Sequence, residues 1–304
     1  MMENLVSENC KGYAYSKVAE RVVDPGIYLL GFEFDGTVCF RKGASLGPNA
    51  FRKVSEGIES FSPYQGIDLE DANDVFDLGN LFKENEKELN SNFEKSLDRF
   101  NDIFKGKNLK DERIKLVTLG GEHSISIAPI NKYLNDYDDL LIIHLDAHAD
   151  LRDGYLGFHY SHASIMRRAL DLFTPSNDLI QYGIRSGTKE EYELMREKKT
   201  LCLSRFEFLE KVKNIPKNRP VYLTLDLDFF DPAFLPGTGT PEPGGEDFHC
   251  FISLMKVLSE KNFVGADIVE LAPEIDSTEN SSVFGTKVLR EIICTLKKCG
   301  QQGV

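Results

Sequence analysis

The segment from His144 to Asp150 places two carboxylates and an imidazole at alternate positions, Asp146, His148 and Asp150. It follows an apolar run at residues 140–143 that predicts a buried strand. Because residues two apart in an extended chain point to the same side, the three side chains should converge where the strand ends. Carboxylates placed so close together repel each other unless a divalent cation lies among them. The spacing therefore predicts a metal site.

Two further strand ends carry side chains of the same types. Asp226 and Asp228 closely follow the apolar run at residues 221–224, and His123 lies just past the strand-like run at residues 114–119. Together the three strand ends offer four Asp and two His. That is too many acidic groups for one divalent ion and about right for two. The alternative is that these groups form buried ion pairs or helix caps, which would require Lys or Arg partners nearby.

Strand-like apolar runs alternate with helical patterns along the chain, which predicts a mostly parallel sheet covered by helices. The predicted strands cover residues 27–34, 74–77, 114–119, 140–145, 179–184, 200–203, 221–227 and 263–269. The predicted helices cover residues 48–61, 125–133, 162–173, 190–198, 205–213, 247–261 and 283–298, and an apolar stripe marks one more at Leu89, Phe93, Leu97, Phe100 and Phe104. Such sheets bind ligands outside the carboxyl ends of their strands, where every candidate metal ligand lies.

Composition favours one large α/β domain over residues 1–304. Of the 304 residues 41% are hydrophobic, and there is no linker, low-complexity tract or internal repeat. The polar residues 1–17 do not resemble a signal peptide, and no apolar run is long enough to cross a bilayer. Six Cys without a CxxC pair indicate reduced thiols, so we expect a cytoplasmic protein. A formal net charge of −13 disfavours nucleic acid and anionic membranes as partners.

A loop rich in Pro and Gly spans residues 231–245, shortly after Asp226 and Asp228. Its turn residues predict irregular structure. Loops of this length are often functional, so we expect this one to form a wall of the site. The alternative is a surface loop of no special role.

In their order and number, these motifs resemble those of the ureohydrolases, the family of dimanganese enzymes that includes arginases and agmatinases. The matching segments run through nearly the whole chain: GFEFDG at 31–36, RKGASLGPNAFR at 41–52, DLG at 77–79, GGEHS at 120–124, DAHAD at 146–150, YGIR at 182–185, DLD at 226–228 and ADIVE at 266–270. The chain departs from the commonest family pattern at Glu122, where Asp is frequent, and at Ala163, where Gly is frequent.

The resemblance implies an arginase-like, three-layer α/β fold. Its central sheet would be mostly parallel, with eight strands and helices on both faces. The resemblance also implies a homo-oligomer, either a trimer or a hexamer.

The resemblance assigns the candidate ligands to two Mn²⁺ ions per subunit. In the family pattern, one ion is held by His123, Asp146, Asp150 and Asp226, and the other by Asp146, His148, Asp226 and Asp228. Asp146 and Asp226 would bridge the two ions. The charges agree independently, because four carboxylates neutralise two dications. Oxygen ligands with two imidazoles suit Mn²⁺ better than a structural Zn²⁺ site, which normally uses Cys, or Mg²⁺, which rarely uses His.

The resemblance further implies attack of a metal-bridging hydroxide on a guanidino carbon. Asp150 would take the proton of the bridging water and deliver it to the leaving amine. Glu270 would hold the guanidinium through two parallel hydrogen bonds. His162 would carry protons between site and solvent, or hold the substrate. Taken alone, Glu270 could be a solvent-facing strand end, and His162 a cap or surface residue.

The other histidines receive lesser roles. We expect His144 to be packed under the site, because it alternates away from the ligand face. His159 could reach the mouth of the site, and His249 is expected at the surface.

The expected substrate is agmatine, a small cationic guanidino compound, cleaved to putrescine and urea. The segment at residues 151–162 lacks the Ser/Asn-containing stretch with which arginases bind an α-carboxylate, and it is rich in aromatic residues, which suit an ammonium group. Arg152 could pair with a carboxylate if it faces the pocket, so arginase, guanidinobutyrase and formiminoglutamase activities stay open. A phosphoesterase would need more basic residues near the metal motifs, and a silent binding protein would not need the complete ligand set.

Overall fold

The computed structural model describes residues 12–23, 25–81 and 89–301. Within these residues nine parallel strands form one central sheet. The strands in chain order are β1 (Lys17–Val18), β2 (Gly26–Phe32), β3 (Phe61–Ser62), β4 (Ile67–Asp68), β5 (Val75–Asn80), β6 (Ile114–Gly120), β7 (Leu141–Leu145), β8 (Asp178–Tyr182), β9 (Leu201–Cys202), β10 (Pro220–Asp226) and β11 (Asn262–Val269). The sheet order is β1-β5-β2-β6-β11-β10-β7-β8-β9, while β3 and β4 form a separate antiparallel pair.

The predicted fold class is confirmed, and the sheet has one strand more than the eight expected. All eight predicted strands are present, and none of their ends shifts by more than three residues. The additional strand is β1, which pairs with β5 at the edge through Lys17 and Val18. Both residues are exposed and lie in no apolar run, so β1 could not be predicted from the sequence.

Eight α-helices are present in the described residues. They are α1 (Gly47–Ser55), α2 (Leu89–Ile103), α3 (Ile127–Asp136), α4 (Ile165–Asp171), α5 (Lys189–Lys198), α6 (Arg205–Lys213), α7 (Phe248–Leu258) and α8 (Asn280–Gln301). The helix predicted at 48–61 ends earlier, because the chain turns at Gly57 and then enters β3. The predicted stripe is buried at Phe93, Phe100 and Phe104, while the side chain of Leu89 lies outside the described residues. None of the helices so described is long and apolar enough to cross a membrane.

Alternate residues of the strands pack into two separate cores, one on each face of the sheet. Ile143 of β7 points into the core formed with α1, α6, α7 and α8, whereas its neighbour Ile142 points into the core formed with α2, α3, α4 and α5. Each fully buried aliphatic side chain of this kind contributes about 1.5–3 kcal/mol to folding. The result is the three-layer arrangement, in which both faces of a parallel sheet are covered.

The sheet order brings four strand ends together. β6, β11, β10 and β7 are neighbours in that order, although they are far apart in sequence. In the register, Asp226 lies beside Val269, and Leu225 lies beside Leu145. The residues that follow these four strands therefore meet at one edge of the sheet.

Candidate active site

The six predicted metal ligands converge at this edge in two overlapping groups. His123 Nδ1 lies 3.0 Å from Asp146 Oδ2, 3.0 Å from Asp150 Oδ2 and 3.5 Å from Asp226 Oδ2. His148 Nδ1 lies 2.9 Å from Asp228 Oδ2 and 3.5 Å from Asp146 Oδ1. Asp146 thus presents one carboxylate oxygen to each group.

The hydrogen bonds around His123 leave one ring nitrogen free for a metal. Its Nε2 lies 2.8 Å from Thr224 Oγ1, and Thr224 donates its hydroxyl proton to Asp267 Oδ1 at 2.8 Å. Thr224 Oγ1 must therefore accept the proton on Nε2, and in the neutral ring, the form that binds metal, Nδ1 carries a lone pair. Nδ1 is buried and has no hydrogen-bond partner within the described residues. A buried lone pair among three carboxylate oxygens is the arrangement that a bound cation completes.

Electrostatics agrees with this interpretation. Burial, followed by the charge of Asp146, raises the pKa of Asp150 to about 7 and raises the pKa of Asp228 above its usual range. Burial, followed by Asp228, raises the pKa of Asp226 well above its usual range. Buried carboxylates that resist ionisation in each other's presence become stable as anions when divalent cations lie among them.

His144 lies beneath the cluster, as predicted, and supports a ligand. Gln181 Nε2 lies 3.0 Å from the carbonyl oxygen of Ala149, which can only accept, so Nε2 is a donor. The same nitrogen lies 3.1 Å from His144 Nδ1. His144 Nδ1 must then accept, and the proton lies on Nε2, which donates to Asp146 Oδ2 at 2.9 Å. Both ring nitrogens of His144 are occupied, so we assign it to the support of Asp146 and not to metal binding.

Asp150 and Glu270 both have left-handed backbone conformations, with φ of 53° and 66°. Non-glycine residues adopt this region rarely and at some energetic cost. The carbonyl of Asp150 accepts hydrogen bonds from Met166 and Arg167, and the amide of Glu270 donates to Gly121, so the surrounding backbone holds both residues in place. Gly121 is itself confined, because a Cβ there would lie 2.0 Å from the carbonyl oxygen of Phe34.

Glu270 is a buried carboxylate without a cationic partner among the described residues. One oxygen accepts the backbone N–H of His123 at 2.8 Å. Burial, and then the neighbouring charge of Glu122, raise its pKa well above the usual range. The side chain lines a pocket of about 260 Å³ together with His123, Asp150 and Asp226. A cationic group in this pocket would supply the missing charge.

His162 lies on the same pocket as a half-buried side chain. Its Nδ1 is 3.1 Å from Thr37 Oγ1, and its ring meets the Tyr155 ring edge-on at 5.6 Å. Burial is the largest of the causes that lower the pKa of His162 to about 4. The imidazole is therefore neutral near pH 7.

The segment after Asp150 forms the more exposed side of the pocket. Arg152 lies over the Tyr155 ring at 4.6 Å from its centroid, and its Nε is 3.9 Å from Glu191 Oε2. His159 does not line the pocket: its ring nitrogens lie 2.6 and 3.0 Å from Nη1 of the buried Arg168. His249 is exposed, as predicted.

The Pro/Gly-rich loop reaches the pocket through Thr240. Its backbone is held by two arginines: Arg185 Nη2 donates to the carbonyl of Glu242 at 2.9 Å, and Arg41 Nη2 donates to that of Thr238 at 2.7 Å. Glu242 Oε1 lies 3.9 Å from His148 Nε2. The loop thus forms one wall of the site.

The sequence interpretation missed Thr37, Thr224, Gln181 and Asp267. Thr224 could have been found, since it lies two residues before Asp226 and shares its side of the strand. Asp267 stands in the motif at 266–270 but had no assigned contact. Nothing in the pattern around Thr37 or Gln181 indicates their partners, which lie 85 and 37 residues away along the chain.

Comparison with known proteins agrees with the motifs. The model of the Arginase family matches residues 25–295. An agmatinase of Bacillus subtilis (strain 168) is 39% identical over 273 residues, which cover 87% of this chain and 90% of that protein. The proclavaminate amidinohydrolase of Streptomyces clavuligerus is 28% identical over 280 residues, covering 88% of this chain and 87% of that one.

Two solved structures extend the likeness to the fold. The agmatine ureohydrolase of Thermoplasma volcanium superposes with a TM-score of 0.76 at 27% identity, covering 100% of this chain and 98% of that one. The Streptomyces clavuligerus proclavaminate amidino hydrolase superposes with a TM-score of 0.84 at 24% identity, covering 95% of this chain and 97% of that one. The arginase-like architecture therefore extends over nearly the whole chain.

Proposed function

Because the chain belongs to the arginase family, we propose that this ureohydrolase cleaves agmatine to putrescine and urea. The observation that carries the proposal is the buried, cation-free Glu270 beside the His/Asp cluster, in one pocket of about 260 Å³. The unpaired carboxylate suits a cationic guanidinium group. The adjacent set of metal ligands suits the attack of water on its carbon, which is slow without catalysis. The agmatinase relatives support the choice of agmatine.

We propose that the cluster holds two Mn²⁺ ions. His123, Asp146, Asp150 and Asp226 would hold one, and Asp146, His148, Asp226 and Asp228 the other. Bound together, the two ions supply Lewis acidity that lowers the pKa of a shared water from about 15.7 towards 7. The unpartnered His123 Nδ1 and the four clustered carboxylates support this assignment.

Glu270 would bind the guanidinium. A carboxylate and a planar guanidinium match in geometry and form two parallel charge-assisted hydrogen bonds. One Glu270 oxygen is already held by the amide of His123, and the left-handed backbone aims the side chain into the pocket. The substrate carbon would thereby be oriented towards the ligand cluster.

Asp150 and His162 would move protons. Asp150 lies in the segment between β7 and α4, where its carbonyl is held by the amides of Met166 and Arg167. Its carboxylate would accept the proton of the attacking water and pass it to the leaving amine. The neutral His162 imidazole would accept protons at the more exposed side of the pocket.

A second substrate class is favoured by Arg152. This side chain is 39% exposed, lies on the pocket and has Glu191 only at 3.9 Å. A guanidinium so placed could pair with the carboxylate of arginine or guanidinobutyrate. Agmatine stays the first choice, because the stacked Tyr155 ring and the buried Glu191 carboxylate also suit an ammonium group.

The test is product release by the Mn-loaded protein: urea from agmatine, arginine and guanidinobutyrate, and formamide from formiminoglutamate. We expect kcat/KM to be highest for agmatine and activity to be lost on removal of metal. A higher kcat/KM for a carboxylate-bearing compound would show that the substrate belongs to the second class and is not agmatine. An Arg152→Met variant, which keeps an unbranched chain but lacks the charge, should then lose activity on that compound selectively.

We also propose a cytoplasmic homo-oligomer, a trimer or hexamer, that acts on a small cationic substrate in polyamine biosynthesis. The five cysteines of the described residues are unpaired, in keeping with a reducing compartment. Sedimentation velocity of the purified protein tests the assembly, and a monomer at micromolar concentration would contradict it.

A further inference from the structure

A buried hydroxyl connects His162 to a carboxylate that has no role in the proposed chemistry. Thr37 is 4% exposed, and Glu122 is fully buried. Thr37 Oγ1 lies 2.5 Å from Glu122 Oε1 and 3.1 Å from His162 Nδ1, and it also accepts the backbone N–H of His162 at 3.2 Å. The three residues form a chain from the interior to the pocket.

The donors and acceptors in this chain can be counted. Glu122 Oε2 accepts the backbone N–H of Thr37 at 2.7 Å, and Oε1 accepts the hydroxyls of Thr37 and of Ser124, each at 2.5 Å. Burial raises the pKa of Glu122, while the hydrogen bonds from Ser124 and Thr37 favour its charged form. In that form the carboxylate only accepts, so the Thr37 proton points to Glu122. Thr37 Oγ1 then has only lone pairs to offer His162, and His162 Nδ1 must carry the proton.

From this count we propose that Glu122 and Thr37 are positioning residues that hold the His162 imidazole in its Nδ1–H tautomer, leaving Nε2 unprotonated. Nε2 has no hydrogen-bond partner among the described residues, so its lone pair is available to accept a proton at the pocket. The proposal rests on the proposed function in one respect, the use of His162 in proton transfer. A histidine locked in the opposite tautomer could not accept a proton at Nε2.

The length of Glu122 matters for this arrangement. Its carboxylate spans both the amide and the hydroxyl of Thr37, through different oxygens. Thr37 is thereby held through both its backbone amide and its hydroxyl. His162 is in turn held by Thr37 through its backbone amide and its ring nitrogen Nδ1. Two contacts at each step set the orientation of the ring as well as its tautomer.

Glu122→Gln is the sharpest test. The backbone N–H of Thr37 can only donate, so the amide oxygen of Gln must take the Oε2 position and its NH₂ group the Oε1 position. That NH₂ group donates to Thr37 Oγ1, whose own proton then turns to His162 Nδ1. The substitution is expected to switch His162 to the Nε2–H tautomer without changing the shape of the site.

Neutron diffraction of deuterated, Mn-loaded crystals locates the proton directly. We expect deuterium on Nδ1 of His162 in the wild type and in Thr37→Ser, and on Nε2 in Glu122→Gln. Deuterium on Nε2 in the wild type would overturn the proposal, and so would an unchanged tautomer in Glu122→Gln. This measurement is independent of the substrate, so it decides the positioning role even if the protein releases no urea.

Kinetics adds a second readout. Thr37→Val removes the hydroxyl at nearly constant volume and is expected to lower kcat by roughly 100-fold, the lower end for loss of general acid–base catalysis. KM and the metal content should change little, and Thr37→Ser should restore most of the rate. Equal kcat values for Thr37→Val and Thr37→Ser would overturn the proposal. If Thr37→Val does not fold, the comparison of Glu122→Gln with the wild type decides.

Discussion

The proposed metal ligands have hydrogen-bond partners that hold them in place. His123 is backed by Thr224 and Asp267, and Asp267 is held in turn by the Tyr222 hydroxyl at 2.7 Å. Asp146 is backed by His144. Partners of this kind orient metal ligands and set their protonation, and their loss commonly lowers metal affinity by about 10- to 100-fold.

Thr224→Val should therefore weaken metal binding. The variant keeps the shape of the side chain but cannot accept the His123 Nε2 proton, so the ring loses its fixed tautomer. We expect the affinity for Mn²⁺ to fall by about 10- to 100-fold, measured by competition with a chelating dye. Thr224→Ser is the matched control and should bind nearly as the wild type does. An unchanged affinity in Thr224→Val would show that the hydroxyl does not orient His123.

Asp226→Ala should have a larger effect. In the proposed assignment Asp226 contributes to both ions, so its loss removes a donor from each. We expect two Mn²⁺ per subunit in the wild type and fewer in the variant. The loss of activity should exceed the roughly 10- to 100-fold that follows removal of a residue that only supports a ligand. Elemental analysis of the Mn-loaded wild type decides the stoichiometry, and one ion or none would contradict the dinuclear assignment.

At the scale of elements, the site depends on how strands end. β6, β7, β10 and β11 each carry one or more site residues at their carboxyl end or within five residues after it, and two of these residues have left-handed backbone conformations. A parallel sheet fixes the spacing of its strand ends through the ladder of hydrogen bonds. The turns then need only to orient single side chains, which explains why so many polar groups can be placed accurately in a small volume.

The start of α8 is also held by a single polar side chain, that of Asp276. The Asp276 carboxylate accepts the N–H and hydroxyl of Ser281 at 2.8 and 2.6 Å, and the N–H of Thr278 at 3.0 Å. Burial opposes ionisation of Asp276, but the hydrogen bonds from Ser281 and Thr278 outweigh it and lower the pKa to about 2. In its charged form Asp276 thus accepts one free N–H of the first turn of α8, that of Ser281, and orders the turn before it through Thr278.

Asp276→Asn should remove a pH-dependent contribution to stability. Because the folded-state pKa lies below the unfolded value of 3.8, the contribution of the charge is fully present above about pH 4 and is lost as the pH falls towards 2. We expect the variant to be less stable than the wild type by about 1 kcal/mol near pH 6, and by less near pH 2.5. Urea denaturation at several pH values measures the difference. A difference that did not shrink in acid would contradict the role of the charge.

At the scale of the whole molecule, a buried ion pair ties three parts of the chain together. Arg52 of α1 donates to both oxygens of Asp77 in β5, at 2.8 and 2.9 Å, and to the carbonyl of Gly79 at 2.9 Å. Asp77 also accepts the backbone N–H of Tyr13 at 2.8 Å. The pair explains why Arg52 in the motif at 41–52 and Asp77 in the motif at 77–79 occur together: these two residues hold α1 against β5.

Arg52→Met should strongly destabilise the protein. It leaves the Asp77 carboxylate buried without its counter-charge, which costs about 3–5 kcal/mol of unfolding free energy. Chemical denaturation measures the loss. Lys53→Met is the matched control. The side chain of Lys53, the next residue in the chain, is 71% exposed and among the described residues pairs only with the exposed Glu279, so we expect little change in stability. Equal effects of the two substitutions would contradict the argument.

What the sequence by itself determined is the set of elements and most of the ligand set. Continuous apolar runs predicted eight of the nine strands in the described sheet, and the alternation of Asp146, His148 and Asp150 predicted their convergence. These features follow from local rules: the period of an extended chain and the placement of ligands at strand ends. That the chain forms one domain, and the roles assigned to the site residues, stay predictions.

The tertiary structure alone decided which distant residues meet. The sheet order inserts β11 between β6 and β10, which puts Glu270 among the ligands although it follows Asp228 by 42 residues in sequence. Hydrogen bonds from Thr37 to Glu122, and from Gln181 to His144, join strands and loops that no local period relates. Proton positions in such chains depend on every donor and acceptor present, so they become visible only when the folded chain brings all of them together.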